Sequence, residues 1–448
     1  MATVVRRAIV RALAAGLLGS CLVLQPLAVP AQAAVGQPLD SKQCIPPQDA
    51  AQNLRPPQDS WANKRLNPEQ VWARNDARQR PVRGAGIKVA VIDTGAQIGV
   101  SPVLSLPPEA SGQTSEMLPR WDMYDFIGDD QDIVNRGFDC SHGTAVVGYI
   151  NGQQVGGWNM GGMAPAAQVT VLRALKSTQG NESQEPMVQA VTWAIDNKYD
   201  IINISQSGGD HQGLRKEIAR AIQAGIVVVA AAGNGGRGSG PSYPAAYPGV
   251  IAVGMTTRGG AAASLSQSDP RMEVTVAAPG EKVTLLRWSH PQTGRPPADY
   301  FNEGRQGWNE GDGTSYATPM VSGVVALMLQ HSRAEGKNLT PAEVKKRLQQ
   351  TADRPPGAVP DSQLGYGTVN PMGAVFGPFP KSGSRAPEPA PTLGGPLPVS
   401  PPRDLGPALV SVGIGVAALL LVVTGLVVSE AIPAMRRRKF RPAQPDKK

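Results

Sequence analysis

Apolar residues recur through the middle of this chain in two alternating rhythms. Short runs rich in β-branched residues, Ile87 to Asp93, Gln168 to Leu175, Ile201 to Ser205, Ile226 to Ala231, Val250 to Met255 and Val274 to Ala278, read as buried strands. Between them, Gln184 to Asn197 and Leu214 to Ala224 carry their apolar residues at helical spacing. Ala145, Val146, Val147, Tyr149 and Ile150 predict a helix that begins at His142, and Met320, Val321, Val324, Val325, Leu327 and Met328 predict another that begins at Ser315. Strand, helix, strand in repeated order predicts a parallel sheet with right-handed crossovers. The expected fold class is therefore α/β, a doubly wound parallel sheet, over residues 84–376.

The ends follow other rules. After Arg6, Arg7 and Arg11, the apolar run Ala12 to Val29 leads to Ala31-Gln32-Ala33. Basic start, apolar core and small-x-small site make residues 1–33 an expected secretory signal peptide. An uncleaved membrane helix is one rival. Lipid attachment at Cys21 is another, discounted because the apolar run continues past Cys21 toward the better cleavage site. Leu405 to Val428 contains no charged residue, and about 20 apolar residues span a bilayer. With Arg436-Arg437-Arg438-Lys439 behind it, 405–428 is expected to be a single transmembrane helix, 429–448 a basic cytoplasmic tail, and the body to lie outside the cell membrane. Pro recurs through 377–404, the composition of an extended linker. Residues 34–83 are polar, Pro-rich and nearly aperiodic, an irregular N-terminal extension with a short helix expected around Pro68 to Asn75. It is too short and irregular for a folded inhibitory pro-domain.

Composition adds limits. A chain of 448 residues holds one large domain with appendages. The formal charge is +8, yet Lys and Arg are scattered outside the tail and no nucleic-acid motif accompanies them, so no nucleic-acid partner is expected. Of three Cys, Cys21 lies in the segment expected to be removed, and the remaining pair, Cys44 and Cys140, reads as a disulfide in an exported protein. The four His show no metal-ligand spacing; His211, His290 and His331 read as surface residues, and neither a metal nor another cofactor is expected.

Candidate chemistry sits where strands end. Asp93 closes a buried strand before Thr94-Gly95, at the end where open α/β sheets gather ligands. Asp-Thr-Gly also marks each half of an aspartic protease dyad, but that chemistry needs a second such tripeptide and the chain has none. His142 stands in Asp139-Cys140-Ser141-His142-Gly143-Thr144, at a helix start. Asn234 follows a strand in Ala232-Gly233-Asn234, where an Asn is usually a turn former whose amide can also donate to an oxyanion. Ser315 lies in Gly313-Thr314-Ser315-Tyr316-Ala317-Thr318-Pro319, a position that by itself suits an ordinary N-cap. Ser205, Gln206, Ser207 and Gly208 form a polar stretch beyond another strand. In the loop expected between Glu281 and Asp312, Trp288, Tyr300 and Trp308 are candidates for contact with a partner, or equally for packing.

In the order Asp, His, Ser, these motifs resemble the subtilisin-like serine peptidases. Val91-Ile92-Asp93-Thr94-Gly95 resembles their Asp motif, His142-Gly143-Thr144 their His motif, and Gly313 to Pro319 their Ser motif. Gly162-Met163-Ala164-Pro165 resembles the turn before a core strand, and Ala232-Gly233-Asn234 the oxyanion segment. The resemblance implies a subtilisin-like fold, with Ser315 as nucleophile, His142 as base and acid, Asp93 as its orienter, and Asn234 with the Ser315 backbone N–H as oxyanion donors. Substrate contacts are implied at Gly233 and at Ser205 to Gly208. That last segment departs from the family's Ser-x-Gly-Gly, fitting as Ser205-Gln206-Ser207-Gly208 or, shifted, as Ser207-Gly208-Gly209.

The whole layout further resembles the mycosins, membrane-anchored subtilisin-like proteases of actinobacterial type VII secretion. Signal segment, Pro-rich extension, Asp-Cys before the His motif, Ser-Tyr-Ala in the Ser motif, Pro-rich linker and terminal helix carry it. It implies pairing of Cys44 with Cys140, a polypeptide substrate, and a type VII secretion membrane complex as partner. Two functions from different classes follow: an endopeptidase acting on an exported polypeptide, and a mainly structural subunit of the secretion complex with dispensable proteolysis. A peptide-binding module that has lost catalysis is disfavoured, because no catalytic position is substituted.

Overall fold

The computed structural model describes residues 37–38, 44–45, 60–96, 120–128, 138–139, 141–153, 161–177, 183–286 and 308–377, all within the first of two compact units, Met1–Phe379. The expected signal peptide, linker beyond Gly377, membrane helix and tail, together with Cys140, His290, Trp288 and Tyr300, lie outside the described residues. Among the described residues no helix is long and apolar enough to cross a membrane.

In chain order the strands are β1 (Gln37–Pro38), β2 (Cys44–Ile45), β3 (Lys88–Asp93), β4 (Arg120–Asp125), β5 (Phe138–Asp139), β6 (Gln168–Arg173), β7 (Ile201–Ile204), β8 (Val227–Ala231), β9 (Ile251–Thr256), β10 (Val276–Pro279), β11 (Val283–Leu286) and β12 (Trp308–Gly311). The helices are α1 (Trp61–Leu66), α2 (Pro68–Trp72), α3 (Ser141–Asn151), α4 (Glu185–Asp196), α5 (Gln212–Gln223), α6 (Thr314–Ala334), α7 (Pro341–Thr351) and α8 (Pro371–Phe376).

Eight strands make one sheet in the order β1-β4-β6-β3-β7-β8-β9-β10, parallel throughout except for β1, which runs antiparallel to β4. Strand side chains alternate between faces, and the two faces have different partners. Val89, Val91, Val169, Val171, Val227 and Val229 pack with α3 and α6, whereas Ala90, Ile92, Ile202, Ile204 and Val228 pack with α4 and α5. The helices of a doubly wound α/β sheet cover both faces in this way. Each fully buried Val or Ile contributes about 1.5–3 kcal/mol of burial.

Helix α6 runs through the centre of the first unit. Every residue from Thr314 to Gln330 is buried, so the helix passes through the interior rather than along it, as an all-round apolar sequence requires. Its far end is fastened by Gln330, whose Oε1 accepts the N–H groups of Arg83, Gly84 and Ala85 at 2.9, 2.6 and 3.0 Å. Gln330 Nε2 donates to Asp76 Oδ2 at 3.2 Å and to the Pro81 carbonyl at 3.0 Å. The adjoining part of the extension is pinned as well. Trp61 Nε1, Asn63 Nδ2 and Trp72 Nε1 donate to the carbonyls of Lys282, Gly161 and Met163 at 2.9, 2.7 and 2.9 Å.

Several expectations need correction. The stretch expected as a loop from Gly99 to Asp139 contains β4, whose Asp122 and Asp125 interrupt the apolar alternation that marks a strand. The loop expected between Glu281 and Asp312 contains the antiparallel pair β11 and β12, and Trp308 begins β12. His331 is only partly exposed: its ring packs edge-on against Phe376 with centroids 4.8 Å apart and pairs with Glu335 at 3.3 Å. His211, half-buried, caps α5, its Nδ1 accepting the Leu214 N–H at 3.2 Å. The short helix expected from Pro68 ends at Trp72.

Candidate active site

The parallel sheet delivers Asp93 to its C-terminal edge, fully buried at the last position of β3. Its Oδ1 accepts the Thr94 N–H at 2.7 Å and faces His142 Nδ1 at 2.8 Å. Asp93 Oδ2 is buried and has no hydrogen-bond partner among the described residues. A carboxylate so placed holds Nδ1 as the protonated ring nitrogen and leaves Nε2 as the acceptor.

His142 is the second residue of α3. The helix comes this close only because residue 143 is Gly, since a Cβ there would lie 1.9 Å from the Gly95 carbonyl oxygen. The imidazole packs against Tyr316, ring centroids 5.4 Å apart, which places it beside the start of α6. Farther along α3, buried Tyr149 donates to the Thr284 carbonyl at 2.5 Å. Burial first, and then the nearby Tyr316 phenol, push its pKa up.

Ser315 is the second residue of α6 and is nearly buried. An N–H in the first turn of a helix has no intrahelical acceptor, and Pro319 lacks the N–H that would have bonded the Ser315 carbonyl. Asn234 follows β8 and is exposed. Its Oδ1 accepts both the N–H and the hydroxyl of Thr314, at 2.9 and 3.0 Å, and the Thr314 hydroxyl accepts the Gly233 N–H at 3.1 Å. The point where a Cβ on Gly313 would stand lies 2.8 Å from Ser315 Oγ and 3.6 Å from Asn234 Nδ2. The hydroxyl and the amide therefore flank one small space.

Beyond β7 the chain continues as Ser205, Gln206 and Ser207. Buried Ser205 accepts from Asn203 Nδ2 at 3.0 Å, and Asn203 Oδ1 accepts the Ser322 hydroxyl at 2.8 Å, tying this segment to α6. Gly208 exchanges backbone hydrogen bonds with Tyr243 at 2.9 and 3.0 Å. Alongside lies a cleft of about 290 Å³ whose lining includes Gln206, Ser207 and Gly208. The structure thus brings Asp93 against His142 and Asn234 beside Ser315, with Gly233 tied to Thr314. Two contributors were given no role in the sequence reading above: Thr314, which orients the Asn234 amide, and Tyr243, which holds Gly208. Thr314 stands inside the Ser motif and was legible as a hydroxyl one residue from Ser315.

A buried carboxylate orienting an imidazole, a hydroxyl at a helix start and an outward-facing amide are the parts of an acyl-transfer site. The fold and the sequence agree on its lineage: the subtilase family model matches residues 84–367, and the chain belongs to the subtilase family. The minor extracellular protease Epr of Bacillus subtilis strain 168 is 32% identical over 314 residues, 69% of this chain and 41% of that protein. Subtilisin E from the same organism is 34% identical over 275 residues, 60% of this chain and 61% of its own. The chain therefore spans less than two thirds of the length of these relatives. A crystal structure of MycP1 with the N-terminal propeptide removed is similar with a TM-score of 0.53 and 28% identity, covering 72% of this chain and 99% of that one.

Proposed function

We propose that the protein is a serine endopeptidase that cuts an exported polypeptide outside the cytoplasm. The observation that carries the reading is the 2.8 Å contact of Asp93 with His142 beside the start of the helix that bears Ser315. In this scheme Ser315 Oγ adds to the scissile carbonyl while its proton passes to His142 Nε2. Asp93 stabilises the resulting imidazolium. Asn234 Nδ2 and the Ser315 N–H receive the oxyanion. The C–N bond then breaks as His142 returns the proton to the leaving amine, and a water molecule repeats the sequence to release the acyl group. Gly233 and Ser205 to Gly208 contact the substrate backbone.

The setting is proposed on the sequence pattern and on likeness to MycP1. The body is held at the cell membrane by the helix over 405–428, with the tail in the cytoplasm, and serves a type VII secretion complex. Cys44 and Cys140 form a disulfide that fastens the extension near His142. Pairing of β2 with β5, which ends one residue before Cys140, supports that bridge.

The test is labelling of the folded protein by an organophosphonate probe. Wild type is expected to be modified at Ser315 and the Ser315→Ala variant not at all. Wild-type protein with a cooperative melt and no label would overturn the reading.

A further inference from the structure

One hydrogen bond does not fix the orientation of a ring. The 2.8 Å contact with Asp93 Oδ1 sets where His142 Nδ1 stands, yet the imidazole can still turn about that contact and carry Nε2 out of line. A reacting side chain must be held to about 10–20° by packing as well as by hydrogen bonds. Tyr316 supplies such a packing contact. Its ring lies 5.4 Å from the imidazole, centroid to centroid, tilted by 43°, a separation at which aromatic rings attract. Tyr316 is buried and belongs to the apolar cluster that also holds Val283 and Leu285 of β11.

The hairpin of β11 and β12 in turn seats Tyr316. A Cβ on Gly311, the last residue of β12, would stand 3.3 Å from Tyr316 Cε2 and 2.4 Å from Leu285 Cδ1, so the strand passes the ring with no room for a side chain. The base of the hairpin is closed by the Lys282 N–H, which donates to Asp312 Oδ1 at 2.6 Å, and by the Gly313 N–H, which donates to the Gly280 carbonyl at 2.8 Å. Tyr149 ties β11 to α3, the helix that carries His142, through the Thr284 carbonyl. The hairpin thus meets both helices of the site, at Tyr149 on α3 and at Tyr316 on α6.

From these contacts we infer that Tyr316 is a positioning residue for His142, its ring fixing the plane of the imidazole, and that the β11–β12 hairpin holds that ring in place at Gly311. The inference rests on the peptidase reading only for its kinetic arm. The aromatic ring, rather than the phenol hydroxyl, is the part that meets the imidazole.

The test uses the full chain, with the melt of each variant measured alongside. Two readouts are taken: the rate constant kinact and the constant KI for labelling by an organophosphonate, and the low-field proton NMR signal of the His142 Nδ1–H, identified by its loss in His142→Gln. Tyr316→Leu keeps an apolar side chain and removes the ring. It should lower kinact about tenfold or more with KI nearly unchanged, and broaden or abolish the Nδ1 signal, because a ring free to turn exposes that proton to water. Tyr316→Phe, which keeps the ring, should retain both. Gly311→Ala crowds the ring, and Asp312→Ala opens the hairpin base at an exposed position. Each should weaken labelling and signal in the same sense, and neither should cost anything further in a Tyr316→Leu background, the mark of residues acting through one contact. Folded Tyr316→Leu with wild-type labelling and signal, or Tyr316→Phe as impaired as Tyr316→Leu, overturns the positioning role of the ring. Additive losses for Asp312→Ala and Tyr316→Leu, or no effect of Asp312→Ala, overturn the part given to the hairpin. Wild-type protein that shows the signal, loses it in Tyr316→Leu and takes no label overturns the peptidase and leaves the positioning of His142 standing.

Discussion

One oxygen of Asn234 accepts both the backbone N–H and the hydroxyl of Thr314, at 2.9 and 3.0 Å, so the amide nitrogen is turned toward Ser315. The residue that supplies the proposed oxyanion donor is therefore also the cap of the helix that bears Ser315.

Substitutions at Asn234 should separate those two roles. Asn234→Asp keeps an acceptor for Thr314 and removes the donor, so kcat should fall about 10²–10³-fold or more with little change in KM or melting temperature. Asn234→Ala loses the donor and the cap together, adding about 1 kcal/mol of destabilisation. Steady-state kinetics and thermal melts on the two variants check this. Equal melts would show that the cap contributes nothing.

Two glycines near the site should fail in different ways. Gly313 has extended backbone, with φ of 165°, which any residue adopts, but a Cβ there stands 2.8 Å from Ser315 Oγ. Gly313→Ala should cost activity while leaving stability nearly intact. Gly143→Ala would set a methyl 1.9 Å from the Gly95 carbonyl oxygen. It should cost at least about 1–3 kcal/mol as well as activity, because α3 can yield only by carrying His142 away from Asp93. Denaturant melts alongside turnover distinguish the cases.

Gln330→Leu should be among the most damaging single changes distant from the site. It strips one acceptor from three backbone N–H groups and a donor from Asp76. A loss of at least about 2 kcal/mol is expected, read from chemical denaturation.

Asp76 supplies an acid-side prediction. Burial opposes its ionisation, but the Arg80 N–H, the Gln330 amide, the Arg78 N–H and the Arg80 charge together outweigh that and hold its pKa below the usual 3.8. A group depressed in the folded state stabilises above its unfolded pKa, and that contribution is lost as pH falls through the folded value. Stability should therefore decline below about pH 4. Asp76→Asn should flatten this part of the profile, as measured by melts from pH 5 to pH 2.

The sequence was most legible where one local pattern served both fold and chemistry. Six β-branched runs and the helices around them appear within a residue or two of their expected bounds, because each strand is buried on both faces and shows it in nearly every residue. Asp93, His142, Asn234 and Ser315 were legible from short motifs at element ends, and the structure brings Asp93 to His142 and Asn234 to Ser315. Strand β4 was missed because Asp122 and Asp125 break its apolar pattern; Asp125 is tolerated there by Arg173, 2.9 Å away on the next strand. The Gln330 clamp was illegible for another reason. Its partners lie about 250 positions away in sequence, at separations of 245 to 254, and a lone Gln in a helix carries no sign of three waiting amides. The cleft beside Ser207 likewise exists only where α4 meets the end of β7.

The fastening of residues 60–85 sets a boundary for maturation. Trp61, Asn63 and Trp72 are bonded to carbonyls of the body, and residues 83–85 hold the distal end of the helix whose first turn bears Ser315. A processing cut upstream of Ser60 would leave all of these bonds in place. A cut within 61–85 would loosen at one stroke the approach to Asp93 and the anchorage of Ser315, so trimming of the N-terminus has a floor, and crossing it would inactivate the proposed peptidase rather than release it.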